Sequence, residues 1–137
     1  MQALGADVAG AALMRSLLFV PGDSERKLAR ATTAGADALI VDLEDAVARS
    51  ELPRARVLAC EYIAAGEHRA IWVRINPIDT ADAGADLEAV LPSRPAGIVL
   101  PKPRGVGDAG RLGGALDALE QEHGLEAGGT AILPIVT

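Results

Sequence analysis

Gly35-Ala-Asp-Ala-Leu-Ile-Val-Asp-Leu-Glu-Asp45 is the stretch that decides the fold, because within it an apolar run from Ala38 to Val41 ends directly in acidic residues. The run is continuous rather than alternating, which is typical of a strand buried on both faces of a parallel sheet. Four more runs of this kind lie along the chain, at 16–20, 70–75, 97–100 and 131–136. The sequence therefore predicts a sheet of five parallel strands.

Stretches with helical spacing separate these runs. Helices are predicted over 24–34, 50–65, 82–91 and 108–123. Asp23 or Ser24 is the predicted N-cap of the first helix and Ser50 that of the second, and a glycine follows each of these two helices. The order β-α-β-α-β-α-β-α-β, without a change of composition along the chain, predicts one α/β unit.

Two architectures fit this order. One is an open, doubly wound sheet of five strands, and the other is the first five strands of an eight-stranded (β/α)₈ barrel. The length of 137 residues favours the open sheet, because a complete barrel takes about 200–250 residues. The loop Val20–Ser24 lacks both GxGxxG and a P-loop lysine, so it gives no support to a nucleotide-binding version of the open sheet.

Composition excludes several classes of partner. The net charge of −6 disfavours nucleic acid, because an acidic surface repels phosphate. The single cysteine excludes an internal disulfide and favours a cytoplasmic location. Since no apolar run approaches about 18–20 residues, no membrane span is predicted.

Residues 1–14 are predicted to be a disordered tail, and 15–137 to form the folded domain.

Charged residues follow the predicted strands at their carboxyl ends. Asp42, Glu44 and Asp45 follow the second strand, Arg74 closes the third, and Lys102 follows the fourth. In both architectures this edge of the sheet binds ligands. Burial of an unpaired charge costs several kcal/mol, so packing alone does not account for these residues.

Each of these residues has two interpretations. Asp42 and Glu44 lie two residues apart and so face one side of an extended chain, where they either serve a divalent cation or hold a catalytic base. In the other interpretation, all three acidic residues cap a turn or pair with Arg49 or Arg54. The planar fork of Arg74 suits a carboxylate or a developing enolate, but it also suits a structural ion pair. Lys102 is either a site residue or a solvated one.

Four motifs in order make a more specific assignment. They are Arg15–Gly22 (RSLLFVPG), Gly35–Val47 (GADALIVDLEDAV), Val73–Pro77 (VRINP) and Val99–Lys102 (VLPK). In these motifs the chain resembles the citrate lyase β-subunit-like family, which includes the malyl-CoA lyases and belongs to the superfamily of pyruvate- and phosphoenolpyruvate-handling TIM barrels. The resemblance implies that residues 15–137 are the N-terminal part of a (β/α)₈ barrel, its first five strands and four helices, incomplete in this chain.

The resemblance also implies a chemistry. Such enzymes are Mg²⁺-dependent carbon–carbon lyases that convert a 3-hydroxyacyl thioester, commonly of coenzyme A, into an acyl thioester and a 2-oxo acid. Arg74 would stabilise oxyanion charge, and Asp42, Glu44 and Asp45 would line the metal site. The direct metal ligands, a Glu after the fifth strand and an Asp after the sixth, are expected beyond Thr137. The chain alone is therefore expected to be inactive.

Further contacts follow from the same resemblance. Phe19, Pro21 and Gly22 would lie against coenzyme A or the substrate, Arg30 would lie near its phosphates, and Lys102 would join them in substrate binding. Relatives are commonly trimers or hexamers, which implies a homo-oligomer. Two other functions remain open: a pyruvate-class aldolase of the same superfamily, and a non-catalytic subunit that only associates with partners.

Overall fold

The predicted order of strands and helices is confirmed. The computed structural model describes residues 17–66, 70–101, 106–125 and 128–134. The elements are β1 (Leu17–Pro21), α1 (Glu25–Thr32), β2 (Ala38–Asp42), α2 (Leu52–Ala65), β3 (Ala70–Arg74), α3 (Ala81–Val90), β4 (Gly97–Leu100), α4 (Val106–Glu122) and β5 (Ala131–Pro134). Two 3₁₀ turns, Arg49–Glu51 and Leu91–Ser93, precede α2 and follow α3.

The strand order distinguishes the two architectures. The five strands are parallel and lie side by side in the order β1-β2-β3-β4-β5. A doubly wound sheet reverses its strand order at a switch point, whereas consecutive strands of a (β/α)₈ barrel are always neighbours. The open sheet that the chain length favoured is therefore wrong, and the sheet has barrel order.

The hydrophobic core lies between the helices and one face of the sheet. Alternate residues of the three central strands face the helices, as the two-residue period of a strand requires. The strand residues of this core are Leu39, Val41, Ile71, Val73, Ile98 and Leu100, and the buried helix residues include Leu28, Ala55, Leu87 and Leu112. This packing fixes the carboxyl ends of β2 and β3 side by side.

The edge strand β1 differs from its prediction. Strands β2 and β4 are buried on both faces, as the continuous apolar runs predict. In β1, however, Leu17 and Phe19 are 46% and 45% exposed, while Val20 is buried. The apolar run does form a strand, but neighbours in the described chain cover only one of its faces.

Helix starts follow the prediction at α1 but not at α2. The hydroxyl of Ser24 accepts the N–H of Lys27 at 3.2 Å and so caps α1, as predicted. Ser50 instead lies inside the 3₁₀ turn and does not cap α2. Pro53 occupies the first turn of α2, where the missing proline N–H costs no hydrogen bond.

In the part of the chain that the structure describes, no helix has the length and apolar character needed to cross a membrane.

Candidate functional site

Asp42 and Arg74 form an ion pair at the carboxyl ends of β2 and β3. The two residues are direct neighbours in the strand register. Nε of Arg74 donates to Oδ1 of Asp42 at 2.9 Å, and Nη2 donates to Oδ2 at 2.7 Å. The side chains are only 17% and 2% exposed. A bidentate pair of this kind fixes the plane of the guanidinium.

Asp42 also caps the turn that follows β2. Its Oδ1 accepts the backbone N–H of Glu44 at 2.8 Å and its Oδ2 accepts that of Ala46 at 3.0 Å. Together with the Arg74 contacts, these bonds use the roughly four acceptor positions of a carboxylate. Turn capping and the structural ion pair, two of the interpretations left open by the sequence, therefore both hold for Asp42.

Pairing of Asp42 with Arg49 or Arg54 is wrong. Nε of Arg49 lies 3.2 Å from Asp82, and Nη2 of Arg54 lies 3.3 Å from Glu25. Both arginines belong to the outer helical layer, whereas Arg74 reaches Asp42 along the sheet edge itself.

The charges of the pair stabilise each other. Burial acts to raise the pKa of the Asp42 carboxyl, but the hydrogen bonds from Arg74 and from the Glu44 N–H, with the positive charge of Arg74, outweigh it and lower the pKa below its usual value. The hydrogen bond to Asp42 raises the pKa of Arg74, with smaller contributions from the charges of Glu44 and Asp45. Both groups are therefore charged across the physiological range.

The other predicted acidic residues lie around the same guanidinium. Oε1 of Glu44 lies 3.5 Å from Nε of Arg74, and the Glu44 side chain is 8% exposed. Asp45 is exposed and contributes its charge at longer range. The structure thus brings the predicted catalytic set, Arg74 with Asp42, Glu44 and Asp45, to one edge.

Strand β1 adds an apolar wall to this edge. Cζ of Arg74 lies 4.8 Å from the centre of the Phe19 ring, which is a cation–π contact. Pro21 pairs with Asp42 in the register. The N–H of Gly22 donates to the carbonyl of Asp42 at 2.9 Å. A Cβ on Gly22 would lie 2.9 Å from Cδ2 of Leu43 and 3.1 Å from the carbonyl oxygen of Asp42, so a larger residue here would force Leu43 to move.

One predicted substrate contact, Arg30, is not brought to this edge, and another, Lys102, cannot be placed. Arg30 is exposed in the last turn of α1, and a crossover helix runs back from the carboxyl edge of a parallel sheet toward its amino edge. Lys102 lies outside the described residues. Their predicted roles remain predictions.

A buried polar network behind the site was missed from the sequence. Asp86 of α3 is fully buried, and its Oδ2 accepts the backbone N–H and the Nδ2 of Asn76 at 2.9 and 2.8 Å. Its Oδ1 accepts Nε of Arg56 at 2.8 Å. The signal was present in the sequence, because Asp86 falls on the helical stripe formed by Ala83 and Val90, where an exposed acid is not expected.

Burial has the largest effect on the pKa of the Asp86 carboxyl. It raises the pKa of this carboxyl above its usual value, and the hydrogen bonds from Asn76 and Arg56 only partly offset the effect. Asn76 bonds both to Asp86 and to Leu43, the residue that follows Asp42. The pKa values of the two carboxyls are shifted in opposite directions.

The described residues of this edge do not form a complete magnesium site. The oxygens of Asp42 are already occupied by four hydrogen bonds, which leaves it unsuited to direct ligation. Among the described residues, the group of three potential metal ligands is Glu88, Glu122 and His123, which are exposed on α3, on α4 and just after α4. Among the described residues, the acidic edge therefore supplies negative charge but no metal cage.

A separate concavity lies away from this edge. A groove of about 590 Å³ opens between α1 and α2, and Leu28, Leu39 and Ile71 form part of its wall. The hydroxyls of Thr32 and Tyr62, which also line it, are 3.1 Å apart. Neither Arg74 nor Asp42 lines it, so the groove is not part of the candidate site.

Comparison with known proteins identifies the family. A sequence model of the family described as HpcH/HpaI aldolase/citrate lyase matches residues 15–136. The chain belongs to this family. The resemblance inferred from the four sequence motifs is thereby confirmed.

Named members of the HpcH/HpaI aldolase/citrate lyase family match much of the chain. A (3S)-malyl-CoA thioesterase of Cereibacter sphaeroides (strain ATCC 17029) is 45% identical over 91 residues, covering 64% of this chain and 32% of that protein. Citrate lyase subunit beta of Haemophilus influenzae is 32% identical over 126 residues, covering 90% of this chain and 43% of that protein. The chain therefore spans about a third to less than half of these curated relatives.

A solved structure of the family supports the fold. The citrate lyase beta subunit of M. tuberculosis, complexed with oxaloacetate and magnesium, is 29% identical with a TM-score of 0.68. The match covers 90% of this chain and 49% of that one. The five parallel strands and four helices correspond to part of a TIM-barrel-like structure, which confirms the predicted fold class.

Proposed function

We propose that this chain provides the substrate-anchoring edge of a carbon–carbon lyase that acts on a 3-hydroxyacyl thioester of the citryl or malyl type. The observation that carries the proposal is the buried Arg74–Asp42 pair at the carboxyl ends of neighbouring strands. In (β/α)₈ barrels this edge holds the active site. The names of the relatives, citrate lyase subunit beta and malyl-CoA thioesterase, support the substrate class.

The reaction gives Arg74 a defined task. Cleavage breaks the bond between the hydroxyl-bearing carbon and the α-carbon of the thioester, and its electron pair forms the thioester enolate. The hydroxyl proton passes to a base, and its oxygen becomes the carbonyl of the 2-oxo acid. Asp42 uses two of the five N–H donors of Arg74, which leaves three for a substrate carboxylate or oxyanion.

The remaining contacts are proposed on position and chemistry. Phe19 is half exposed beside Arg74 and offers an apolar surface to the thioester. Pro21 and Gly22 continue that surface, and Gly22 lets the backbone approach Asp42 closely. For Arg30 and Lys102 the proposal of a contact with coenzyme A or the acyl carrier rests on their positive charge and on the family resemblance, not on their position.

Magnesium is proposed as the cofactor of the whole enzyme, with ligands outside the described residues. A bound Mg²⁺ would polarise the carbonyl of the oxo acid. The M. tuberculosis citrate lyase beta subunit, whose structure is a complex with oxaloacetate and magnesium, supports this choice. We further propose a cytoplasmic homo-oligomer, a trimer or hexamer, on the basis of the family resemblance.

Replacing Arg74 with lysine is expected to weaken 2-oxo acid binding at least tenfold, because lysine keeps the charge but loses the planar fork. The chain has one tryptophan, Trp72, in β3 two residues before Arg74 and on the same strand face. Its fluorescence reports a titration with oxaloacetate, glyoxylate or pyruvate in the presence of Mg²⁺. Arg111→Lys, an exposed change on α4, is the matched control and should leave affinity unchanged.

Titrations with other ligands, a malyl-CoA assay and an association assay distinguish the alternatives. Tight binding of a free hydroxy-oxo acid without affinity for coenzyme A would favour an aldolase, which the family description also names. Release of free coenzyme A from malyl-CoA without a 2-oxo acid product would favour a thioesterase, as the relative is named. Equal affinities of Arg74→Lys and wild type would contradict the proposal. Association with full-length subunits without ligand binding would favour the non-catalytic function.

Turnover of a 3-hydroxyacyl-CoA by this chain alone is not expected, because the described edge residues form no complete metal site. Rapid release of acyl-CoA and oxo acid from the isolated chain with Mg²⁺ would contradict this part of the proposal.

A further inference from the structure

Asp86 is an unusual residue for the inner side of α3. Its side chain is fully buried, on the same helix face as the buried Leu87 and Val90. A buried carboxylate is costlier than an apolar side chain of similar size, even when it is paired. We therefore look for its role in the groups to which it is hydrogen-bonded.

Asp86 holds Asn76 by two separate donors. The same oxygen, Oδ2, accepts the backbone N–H of Asn76 at 2.9 Å and its Nδ2 at 2.8 Å. Asn76 is the second residue after Arg74, so both the backbone and the side chain of the segment leaving β3 are fixed to α3. Arg56 of α2, at 2.8 Å from Oδ1, completes the hydrogen bonding of the carboxylate.

Asn76 in turn connects the two strands that carry the ion pair. Its Nδ2 also donates to the carbonyl of Leu43 at 2.9 Å. Leu43 lies between Asp42 and Glu44, and its own N–H donates to the carbonyl of Arg74 at 2.9 Å. The turn after β2 and the end of β3 are thus joined by two bonds, and one of them depends on the orientation of Asn76.

We propose that Asp86 is a positioning residue for the substrate-binding edge. It orients Asn76, and Asn76 fixes the turn after β2 against the end of β3. This arrangement lets the guanidinium of Arg74 meet the carboxylate of Asp42 in a bidentate geometry. The proposal deepens the proposed function and rests on it, because it assigns importance to the geometry of Arg74. It predicts that loss of Asn76 loosens the Arg74–Asp42 contact without removing either residue.

The experiment compares three single variants of this chain. Asn76→Ala and Asp86→Asn each disturb the Asp86–Asn76 contact. Val90→Ala shortens a buried side chain of the same helix that makes no bond to Asn76, and it controls for loss of stability. For each variant, ¹⁵N NMR measures solvent exchange of the Arg74 Nε–H, Trp72 fluorescence measures oxaloacetate affinity, and circular dichroism measures Tm.

Asn76→Ala and Asp86→Asn are expected to speed exchange of the Arg74 Nε–H at least tenfold and to weaken oxaloacetate binding at least fivefold. A variant that combines Asn76→Ala with Asp86→Asn is expected to be no worse than the more affected single variant, because both changes break one chain of contacts. Val90→Ala is expected to lower Tm and leave the other two readouts within twofold of wild type.

The proposal is overturned if exchange in Asn76→Ala stays at the wild-type rate, or if Val90→Ala speeds it equally. If Asp86→Asn fails to fold, Asn76→Ala decides the matter alone. If the wild-type chain binds no oxaloacetate, the proposed function fails, while the exchange measurement still tests the positioning of Arg74 by itself.

Discussion

Replacing Asp42 with alanine is expected to lower the free energy of unfolding by about 3–5 kcal/mol, the usual cost of removing one partner from a buried ion pair. The change leaves the Arg74 guanidinium, only 17% exposed, without its bidentate acceptor. It also removes the acceptor for the N–H groups of Glu44 and Ala46. Urea unfolding followed by circular dichroism measures the loss.

Glu25→Ala is the matched control for this change. It breaks an ion pair with Arg54 in which both side chains are more than half exposed, and such pairs contribute less than about 1 kcal/mol. A loss of stability in Asp42→Ala no larger than in Glu25→Ala would show that the strand-end pair does not stabilise the sheet.

The pH dependence of the Asp42 contribution has a definite sign. The pKa of this carboxyl is lower in the folded chain than its ordinary 3.8, so the unfolded state takes up protons first. The contribution is therefore complete above about pH 4–5 and is lost as the pH falls through the folded pKa. The pKa of Asp86 is raised, so its contribution to stability depends on pH in the opposite direction. The measured quantity is therefore the difference in unfolding free energy between wild type and Asp42→Asn at each pH, because the contribution of Asp86 is common to both and cancels.

Replacing Gly97 with alanine is expected to cost about 3 kcal/mol, at the upper end of the range usual for overpacking a core. A Cβ at this position would lie 2.6 Å from Cε3 of Trp72 and 2.8 Å from the carbonyl oxygen of Ala131. The indole has to move, and the backbone of β5 leaves little room for the new carbon. Chemical unfolding measures the cost, and the emission of Trp72 reports its displacement.

Gly84→Ala provides the comparison for Gly97→Ala. Nothing lies within 4 Å of a Cβ built on Gly84, which is an exposed position in α3. Alanine is favoured over glycine inside a helix by about 0.5–1 kcal/mol, so this variant is expected to gain stability. A loss of stability of equal size in both variants would contradict the packing of Trp72 over Gly97.

The sequence predicted those parts of the molecule that depend on local pattern. Each apolar run became a strand, and charged residues at the ends of two runs, Asp42 and Arg74, met because parallel strands end at one edge. The partner of Asp42 could not be chosen from the sequence alone, since Arg49 and Arg54 are much closer along the chain. The order of the strands places Arg74 beside Asp42, and strand order is a tertiary property.

The hydrogen-bond network of Arg56, Asn76 and Asp86 was harder to predict. Its members are distant in sequence, and none of them is an unusual residue for a turn or a helix surface. An asparagine before Pro77 is typical of a turn, and Asp86 is one of several acidic residues on α3. The informative detail was position, since Asp86 shares a helix face with Ala83 and Leu87. An acid on an apolar stripe indicates a buried partner, although it does not say which one.

The sequential strand order also bears on how the chain acquires its structure. Each strand pairs with the strand that precedes it by one βα unit, and no pairing among the five described strands skips a unit. Closure of each crossover therefore costs similar entropy. The topology allows the sheet to extend one strand at a time at one edge, as a repeat array does, and the Asp42–Arg74 pair requires only that β3 has joined β2.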